Sequence, residues 1–343
     1  MHKQKRKEFY ERRCRKKAQR RCRKNRKRKI LKHLVKASKQ TRYKYFTLRA
    51  PKVLSVFEDT ENTVSFFSSV LDTVQRCTFK STLYFDLSMV EEITPDAIMY
   101  LISLIKNLRR IRTLQVKCMG NFPKNKEAKK MIIESGFYDF MGSSYSKKVK
   151  FNKKHMQICS GMHADGKLAS SICDFVIVTY QVNRKRTKRL YPIIIELMTN
   201  TYQHAYELET KSLMINYWYI FAEAKNGYVH FVFLDTGVGI PRTIYRKLKE
   251  KIKDFLYSDE SLYLKSVLEG EFRSETKQEN RGKGLPGIYE DIQNNEIQNL
   301  NIISCKGKCY VDSKSKRIET KRLDNSFEGT LFSWDIKIEN ETK

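Results

Sequence analysis

Residues 228–240 read YVHFVFLDTGVGI, and this stretch decides how the second half of the chain folds. Its first seven residues form a mostly apolar run of strand length, and the Lys-Asn-Gly at residues 225–227 just before it is a hairpin signal. We therefore predict paired strands at residues 212–222 and 228–234. Asp235 follows the second strand directly, where its carboxylate can accept a hydrogen bond from an exocyclic amine such as that of adenine.

Two glycine-rich segments stand on either side of a long charged stretch at residues 241–280. The first is DTGVGI, in which Gly237 and Gly239 let the backbone turn and approach a ligand closely; a plain turn is the alternative. The second is RGKGLPGI at residues 281–288, which opens a predicted helix. A helix start favours anions, and Lys283 adds positive charge for phosphates. The spacing matches neither the P-loop pattern nor a Rossmann unit.

A third segment lies on a predicted helix over residues 187–208. Glu196, Asn200 and His204 recur there at spacings of i, i+4 and i+8, which places them on one helical face. The amide oxygen of Asn200 suits a hard cation such as magnesium, and the carboxylate of Glu196 can orient or deprotonate a water or hydroxyl. Taken alone, the same pattern also fits an ordinary solvated polar stripe.

The three segments together resemble the GHKL superfamily, which includes gyrase, MutL, histidine kinases and anti-sigma-factor kinases. ELMTNTYQHA at residues 196–205 resembles its asparagine box, DTGVGI its first glycine box, and RGKGLPGI its second. GTLFSW at residues 329–334 resembles the late threonine strand near the adenine. The order of the motifs also agrees, as does the long lid-like stretch between the glycine boxes. The resemblance covers roughly residues 185–340.

The resemblance implies a Bergerat-type α/β sandwich, a mixed sheet backed by helices, that occupies residues 171–343 and holds Mg-ATP. In such a site Asn200 would bind magnesium and Glu196 would be the general base. Asp235 would hold the adenine amine, with support from Thr330. The remaining nucleotide-binding candidates, which would shape the phosphate pocket and its lid, are His204, Gly237, Gly239, Ile240, Gly282, Lys283, Gly284, Leu285 and Gly287.

Within the superfamily, the asparagine box and GKGLPGI look closest to the histidine-kinase and anti-sigma-kinase branches. The stretch between the two glycine boxes, residues 241–280, is longer than in an anti-sigma kinase, which counts against that branch. No histidine-phosphoacceptor helix pair is visible before the domain, because His33, His155 and His163 lie in basic or loop-like contexts. We therefore expect an ATPase or a protein kinase of the GHKL type rather than an autonomous histidine kinase, and the reaction itself stays open.

Residues 50–142 show alternating strand and helix signals of the kind that build a small α/β layer domain. YFDLS, which ends at Ser88, and ITPDA, which contains Thr94 and Asp96, together resemble the STAS domain of anti-sigma-factor antagonists. That family implies a phosphorylatable Ser or Thr at a helix start, where this chain has Asp96; the other two residues are weaker candidates. An unrelated α/β domain is the alternative. If the resemblance holds, one chain fuses the two halves of a partner-switching pair.

The formal charge of +30 is concentrated at one end of the 343-residue chain. Residues 1–50 hold 23 Lys and Arg against two acids, Glu8 and Glu11. We assign residues 1–48 to a basic tail that we expect to be disordered when free, and residues 143–170 to a polar linker. Such a tail would neutralise several phosphates and bind nucleic acid without sequence preference. Binding to anionic lipid and mere solubilisation are the alternatives.

Cysteine usage and hydropathy indicate the compartment. No run of about 18 apolar residues and no secretory signal is visible, so we expect no transmembrane segment. The eight cysteines contain no CxxC pair, which favours reduced thiols and a cytoplasmic protein. Cys305 and Cys309 have a spacing that half a metal site would show, but we predict that they lie on neighbouring strands around a turn at residues 306–307.

These observations lead to three hypotheses about function. The first is an ATP-binding regulatory protein, in which Mg-ATP in the second half changes how the STAS-like domain or another protein docks. The second is a nucleic-acid-binding protein with an accessory or degenerate ATP-binding domain, which contacts nucleic acid through its tail. The third is a scaffold that binds ATP without turnover. The sequence leaves open whether the chain dimerises.

Overall fold

The computed structural model describes residues 44–77, 80–110, 116–141, 156–204, 217–249, 259–271 and 284–338. Within these ranges the protein is a mixed α/β structure with one parallel and one antiparallel main sheet. It has four layers: a three-stranded sheet, a helical layer, a five-stranded sheet and a second helical layer. Most of the basic tail, at residues 1–43, lies outside the described residues.

The first half of the chain builds two of these layers. Its elements are β1 (Tyr45–Arg49), β2 (Val53–Leu54), α1 (Thr60–Arg76), β3 (Thr82–Asp86), β4 (Glu92–Ile93), α2 (Pro95–Arg110), β5 (Lys117–Gly120), α3 (Lys126–Glu134) and α4 (Phe137–Met141). The three-stranded sheet has the order β1-β3-β5 and is parallel throughout, and β2 and β4 form a separate parallel pair. Parallel neighbours need long crossovers, which α1 and α2 supply.

The second half builds the antiparallel sheet and the outer helices. Its elements are β6 (Cys159–Gly161), α5 (Gly166–Tyr180), α6 (Arg184–Thr187), α7 (Leu190–His204), β7 (Trp218–Lys225), β8 (Tyr228–Asp235), α8 (Ile240–Lys249), α9 (Glu260–Glu269), α10 (Gly284–Gln293), β9 (Gln298–Val311) and β10 (Ile318–Lys337). The strand order is β6-β7-β8-β10-β9, and every neighbouring pair is antiparallel.

Several elements follow the sequence closely. The hairpin predicted around residues 225–227 is confirmed, since β7 and β8 pair there in an unbroken antiparallel ladder. Residues 172–180, for which strand and helix both stayed open, belong to α5. The helix predicted over residues 187–208 is α7, preceded by the short α6. These elements depend on local patterns of apolar residues, which the sequence displays directly.

The segments that we assigned to the tail and the linker contain ordered structure at their ends. Strand β1 begins at Tyr45, so the last residues of the 1–48 segment belong to the sheet, where Leu48 is buried. Strand β6 and the start of α5 lie within residues 143–170. In both places a short strand completes the edge of a sheet, and backbone pairing of this kind leaves only a weak signal in the sequence.

The turn predicted at residues 306–307 is wrong. Cys305 and Cys309 lie on one continuous strand, β9, and the chain turns later, at residues 312–317. This position in the strand requires glycine, because a Cβ at residue 307 would lie 3.0 Å from atoms of α9. The glycine therefore permits close packing between helix and strand, and it does not make a turn.

Helix α2 lies between the two sheets, and nearly all its residues are buried, including the polar Asp96. A helix that is apolar all round is buried on all sides, and here both sheets supply the cover. Phe85 of the parallel sheet and Leu234 and Leu331 of the antiparallel sheet belong to this one core. The other face of the antiparallel sheet, which includes Phe233, packs against α5, α7 and α10 in a second core.

Two general properties follow from the described ranges. None of the helices there combines the length and the apolar composition that crossing a bilayer requires. The six described cysteines are free thiols: Cys77, Cys118, Cys159, Cys173, Cys305 and Cys309.

Candidate functional site

Helix α7 positions the acid and the amide of the asparagine box. Ile193, Leu197 and Thr201 recur at intervals of four residues and are buried against the second core. This apolar stripe fixes the rotation of the helix, because only one side of it can face the sheet. Glu196 and Asn200 lie on the flank of the stripe and are partly buried. They therefore reach the edge of the helical layer and not its centre.

The side chains of Glu196 and Asn200 contact each other. The hydrogen bond between them favours the charged carboxylate, so the Asn200 amide nitrogen donates and the Glu196 carboxylate accepts. Burial outweighs this bond and raises the pKa of Glu196 above its usual value.

The second glycine box begins beside Glu196. Gly284 opens α10 with a φ of 66°, and a Cβ there would lie 3.7 Å from the Glu196 Oε1. Helix α10 is fixed in this place by Asp291, whose carboxylate accepts hydrogen bonds from Arg189 at 2.7 and 3.1 Å. Because Arg189 directly precedes α7, this ion pair holds the start of α7 against the last turn of α10.

The other members of the second glycine box are placed as follows. Leu285 is partly buried against the second core, and Gly287 is buried within the first turn of α10. Gly282 and Lys283 lie outside the described residues. The side chain of His204 also lies outside them, although its backbone ends α7. The structure therefore describes the helical end of this box and not its loop.

Asp235 ends β8 on the face of the sheet that α7 covers. It is paired in register with Trp218 on one side and Thr330 on the other. The Gly237 N–H donates to its Oδ1 at 2.8 Å. Burial raises the pKa of Asp235 to about 7, although its hydrogen bonds with Gly237 and Thr201 act in the opposite direction.

Thr201 connects the asparagine box to the first glycine box. Its hydroxyl contacts the Asp235 carboxyl and also donates to the Leu197 carbonyl at 3.0 Å. Thr201 follows Asn200 directly, so adjacent residues of α7 contact the two carboxylates: Thr201 contacts Asp235, and Asn200 contacts Glu196. The sequence analysis did not single out Thr201, because its contact depends on how the helix crosses the end of β8.

The DTGVGI loop is also fastened by Ser304 of β9, which lies across β10 from Asp235. The Ile240 N–H donates to the Ser304 Oγ at 2.9 Å, and this hydroxyl donates to the Gly329 carbonyl at 2.9 Å. The Thr330 hydroxyl is also 2.9 Å from the Ser304 Oγ. Gly239 has a φ of 91°, and a Cβ there would lie 2.5 Å from the Cys305 sulfur. Glycine is therefore required where the loop crosses β9.

A second set of contacts leads from the same loop to the first half of the chain. Arg242, in the first turn of α8, donates to both carboxylate oxygens of Glu328 at 2.8 and 3.0 Å. Glu328 belongs to an irregular part of β10, where the pairing with β9 shifts register. The neighbouring Phe327 packs its ring 4.4 Å from that of Tyr100 on α2. Sequence reasoning missed these residues, since no local pattern marks them.

The structure thus brings Glu196, Asn200 and Gly284 together on one side of α7 and joins Asp235 to the same helix through Thr201. Its described residues contain no group of three or more His, Cys, Asp or Glu side chains suited to a metal ion. A magnesium ion here would therefore rely on the amide oxygen of Asn200 and on oxygens of its ligand. A scan against models of known protein families finds no match to the chain, and a search of curated proteins likewise finds no matching sequence.

Proposed function

We propose that the second half of the chain is a Bergerat-type sandwich that binds Mg-ATP, as its resemblance to the GHKL superfamily implies. The observation that carries the proposal is the position of α7. Thr201 of this helix contacts the carboxylate of Asp235 at the end of β8. Glu196 of the same helix lies close to Gly284, which opens α10. Three motifs that are distant in the sequence therefore meet around one helix.

The proposed adenine contact is Asp235. Its carboxyl is partly buried at the end of a strand, and the buried Thr330 lies beside it in register. An acceptor in such a place recognises an amine strongly, because a competing water is excluded. Gly237 lies beside the Asp235 carboxylate, and a Cβ there would come within 3.0 Å of its Oδ1, so glycine keeps a side chain away from the proposed acceptor.

The proposed magnesium and phosphate region lies near Asn200 and the start of α10. The Asn200 amide nitrogen donates to Glu196, and the carbonyl oxygen of Asn200, which this bond does not use, would bind the hard cation. The N-terminus of α10 supplies N–H groups and a partial positive charge for phosphates. When bound, magnesium would neutralise part of the triphosphate charge.

Glu196 is the proposed general base. Its raised pKa makes its carboxylate a better proton acceptor than a solvated one. It would take the proton from the attacking water, which gives hydrolysis, or from a Ser or Thr hydroxyl, which gives phosphoryl transfer. A scaffold that binds ATP without turnover is the outcome if neither reaction occurs.

The STAS-like assignment of the first half also belongs to the proposal. Asp96 stands in the first turn of α2, as the resemblance requires, and accepts a hydrogen bond from the Val56 N–H at 2.5 Å. With 3% of its surface exposed, it is closed to another protein's active site. The position therefore anchors the loop before α1, and regulation of this half would act through its contact with the antiparallel sheet.

The test of the ATP proposal uses two variants with matched controls. Asn200→Ala should abolish Mg-dependent ATP binding, whereas Asn62→Ala, an exposed asparagine on α1, should bind as the wild type does. Glu196→Ala should bind ATP and lose turnover, whereas Glu319→Ala, on the exposed β9–β10 hairpin, should keep it. Incubation with γ-labelled ATP, followed by separation of phosphate, phosphoprotein and intact nucleotide, identifies the reaction. Unchanged ATP affinity in Asn200→Ala would remove the magnesium assignment.

A further inference from the structure

The outer face of the parallel sheet, which is turned away from α1 and α2, is exposed within the described ranges. Side chains that alternate with the core residues of β1, β3 and β5 point away from α1 and α2, and no element of the described ranges packs on them. Parallel sheets are normally covered on both faces. The residues that carry the argument on this face are Tyr45, Arg49, Tyr84, Lys117 and Met119.

Aromatic and apolar side chains form a platform on this face. Tyr45 is 62% exposed and Met119 is 44% exposed. The rings of Tyr45 and Tyr84 lie 6.1 Å apart with an interplanar angle of 28°. Tyr84 and Met119 are directly opposite each other in the β3–β5 register. Flat, exposed rings on neighbouring strands are suited to stacking against planar ligands such as nucleobases.

The charge on the face is positive. Arg49 ends β1 and Lys117 begins β5, and both are exposed. Asp86, the acid that these three strands contain, lies in register beside Arg49 and attracts it, and its carboxylate also accepts hydrogen bonds from the Asn121 amide at 2.7 Å and the Ser88 N–H at 3.1 Å. Arg49 and Lys117 together outnumber this one acid. Arg49 and Lys117 lie at different edges of the sheet, on either side of the aromatic platform. Successive phosphates of a nucleic-acid strand that crosses the platform would pass them.

The chain that enters β1 adds more positive charge. Residues 1–43 contain 21 Lys and Arg against two acids and lead directly to Tyr45. The charge of this segment has the same sign as that of Arg49 and Lys117. A polyanion is attracted by the face and by the tail together, and release of its counterions favours binding further.

We propose that this face binds single-stranded nucleic acid, with bases stacked on Tyr45, Tyr84 and Met119 and phosphates paired with Arg49 and Lys117. The site lies on the far side of the α1–α2 layer from Asp235, so it is independent of the proposed ATP site. A duplex does not present the faces of its bases, and it would use only the charges. The platform therefore distinguishes single strands from duplexes.

The test measures binding of labelled oligonucleotides of about 15 nucleotides, as RNA, as DNA and as a duplex, to the full chain at low and near-physiological salt. Tyr45→Ala should weaken binding of the single strands about tenfold and leave duplex binding nearly unchanged. Tyr45→Phe should restore the affinity, because the ring is kept. Tyr191→Ala, which removes another exposed tyrosine on α7, is the matched control and should bind normally.

Three outcomes would overturn the proposal. The first is equal single-strand affinity of Tyr45→Ala and the wild type, which would assign binding to the tail alone. The second is an equal loss for duplex and single strand. The third is an equally Tyr45-dependent affinity for a polyglutamate peptide, which would identify an acidic protein as the ligand. ATP binding by Tyr45→Ala should stay at the wild-type level, so this result and that of the ATP proposal are separable.

Discussion

Asp96 and Asp235 are two buried carboxyls with different surroundings. Asp96 is 3% exposed and lies in the first turn of α2, where the Val56 N–H donates to it. Asp235 lies at the open end of β8, where the Gly237 N–H donates to it. Burial raises the pKa of Asp96 to about 6 and that of Asp235 to about 7. The shared cause is loss of hydration, which the hydrogen bonds only partly replace.

What separates the two is the space around them. The loop that Asp96 anchors is also held by Lys308 of β9, whose Nζ donates to the Phe57 carbonyl and the Thr60 hydroxyl at 3.0 Å each. Asp235 is partly exposed at the end of β8, and Gly237 keeps a side chain away from it. A carboxyl closed in on all sides stabilises its own fold, whereas a partly exposed one can bind another molecule.

The largest effect should come from Asp235→Ala. If the carboxylate holds the adenine amine, ATP affinity should fall roughly 10- to 100-fold, the range for one hydrogen bond to a charged acceptor. Equilibrium binding of labelled ATP measures the change, with Asp324→Ala, an exposed aspartate of β10, as the control. An ATP affinity within twofold of the wild type would show that the two carboxyls do not differ in role.

Asp96→Ala should have the opposite profile. It leaves the buried Val56 N–H without its acceptor, which should lower the free energy of unfolding by about 2 kcal/mol. ATP affinity should stay unchanged, since the site lies on the other face of the antiparallel sheet. Urea unfolding followed by circular dichroism measures the loss. A variant as stable as the wild type would contradict the anchoring role.

The pH dependence of stability should distinguish the two carboxyls next. A raised pKa in the folded state means that the associated stability is complete below about pH 4 and is lost as the pH rises, through about 6 for Asp96 and about 7 for Asp235. At about 1.4 kcal/mol per pKa unit, the two shifts correspond to losses of at most about 3 kcal/mol for Asp96 and about 4 kcal/mol for Asp235. Urea unfolding across this range should show a smaller loss in Asp96→Asn and in Asp235→Asn. Identical pH profiles for both variants and the wild type would refute the assignment.

The smallest effect should come from His230, which is partly buried. It sharpens the comparison, because its hydrogen bond with Asp335 changes its pKa more than its burial does. His230 Nδ1 lies 2.5 Å from the Asp335 carboxylate, and this hydrogen bond raises the pKa of His230 above 6.5. Its contribution is complete below pH 6.5 and is lost as the pH rises through the higher folded value. His230→Gln should therefore cost less than about 1 kcal/mol, and only at the acidic end. Thermal unfolding on both sides of neutral pH measures it, and an equal cost at alkaline pH would exclude the ion pair.

The sequence predicted the elements whose patterns are local. The β7–β8 hairpin follows from its turn residues and from the alternation of its strands, and α7 follows from its apolar stripe. The spacing of Glu196 and Asn200 also predicted their common place on the helix, because helical geometry fixes it. Their proposed role as a nucleotide site stays a prediction.

Features that depend on distant contacts were not predictable in this way. Gly307 reads as a turn in the sequence, and only the position of α9 shows why glycine is needed within a strand. Ser304 contacts the DTGVGI loop because β9 and β10 are adjacent, and no spacing along the chain reports that. The burial of Asp96 likewise depends on a second sheet covering α2. Each case requires the three-dimensional packing that a single sequence does not display.

The position of α2 between two sheets determines whether the two halves of the chain can be produced separately. The halves of the chain share one interior, so Leu234 and Phe327 have no water-compatible alternative when the first half is removed. Cutting the chain between residues 141 and 156 would expose this apolar interior on both pieces, and we expect both to aggregate. The two halves are therefore best expressed as one polypeptide.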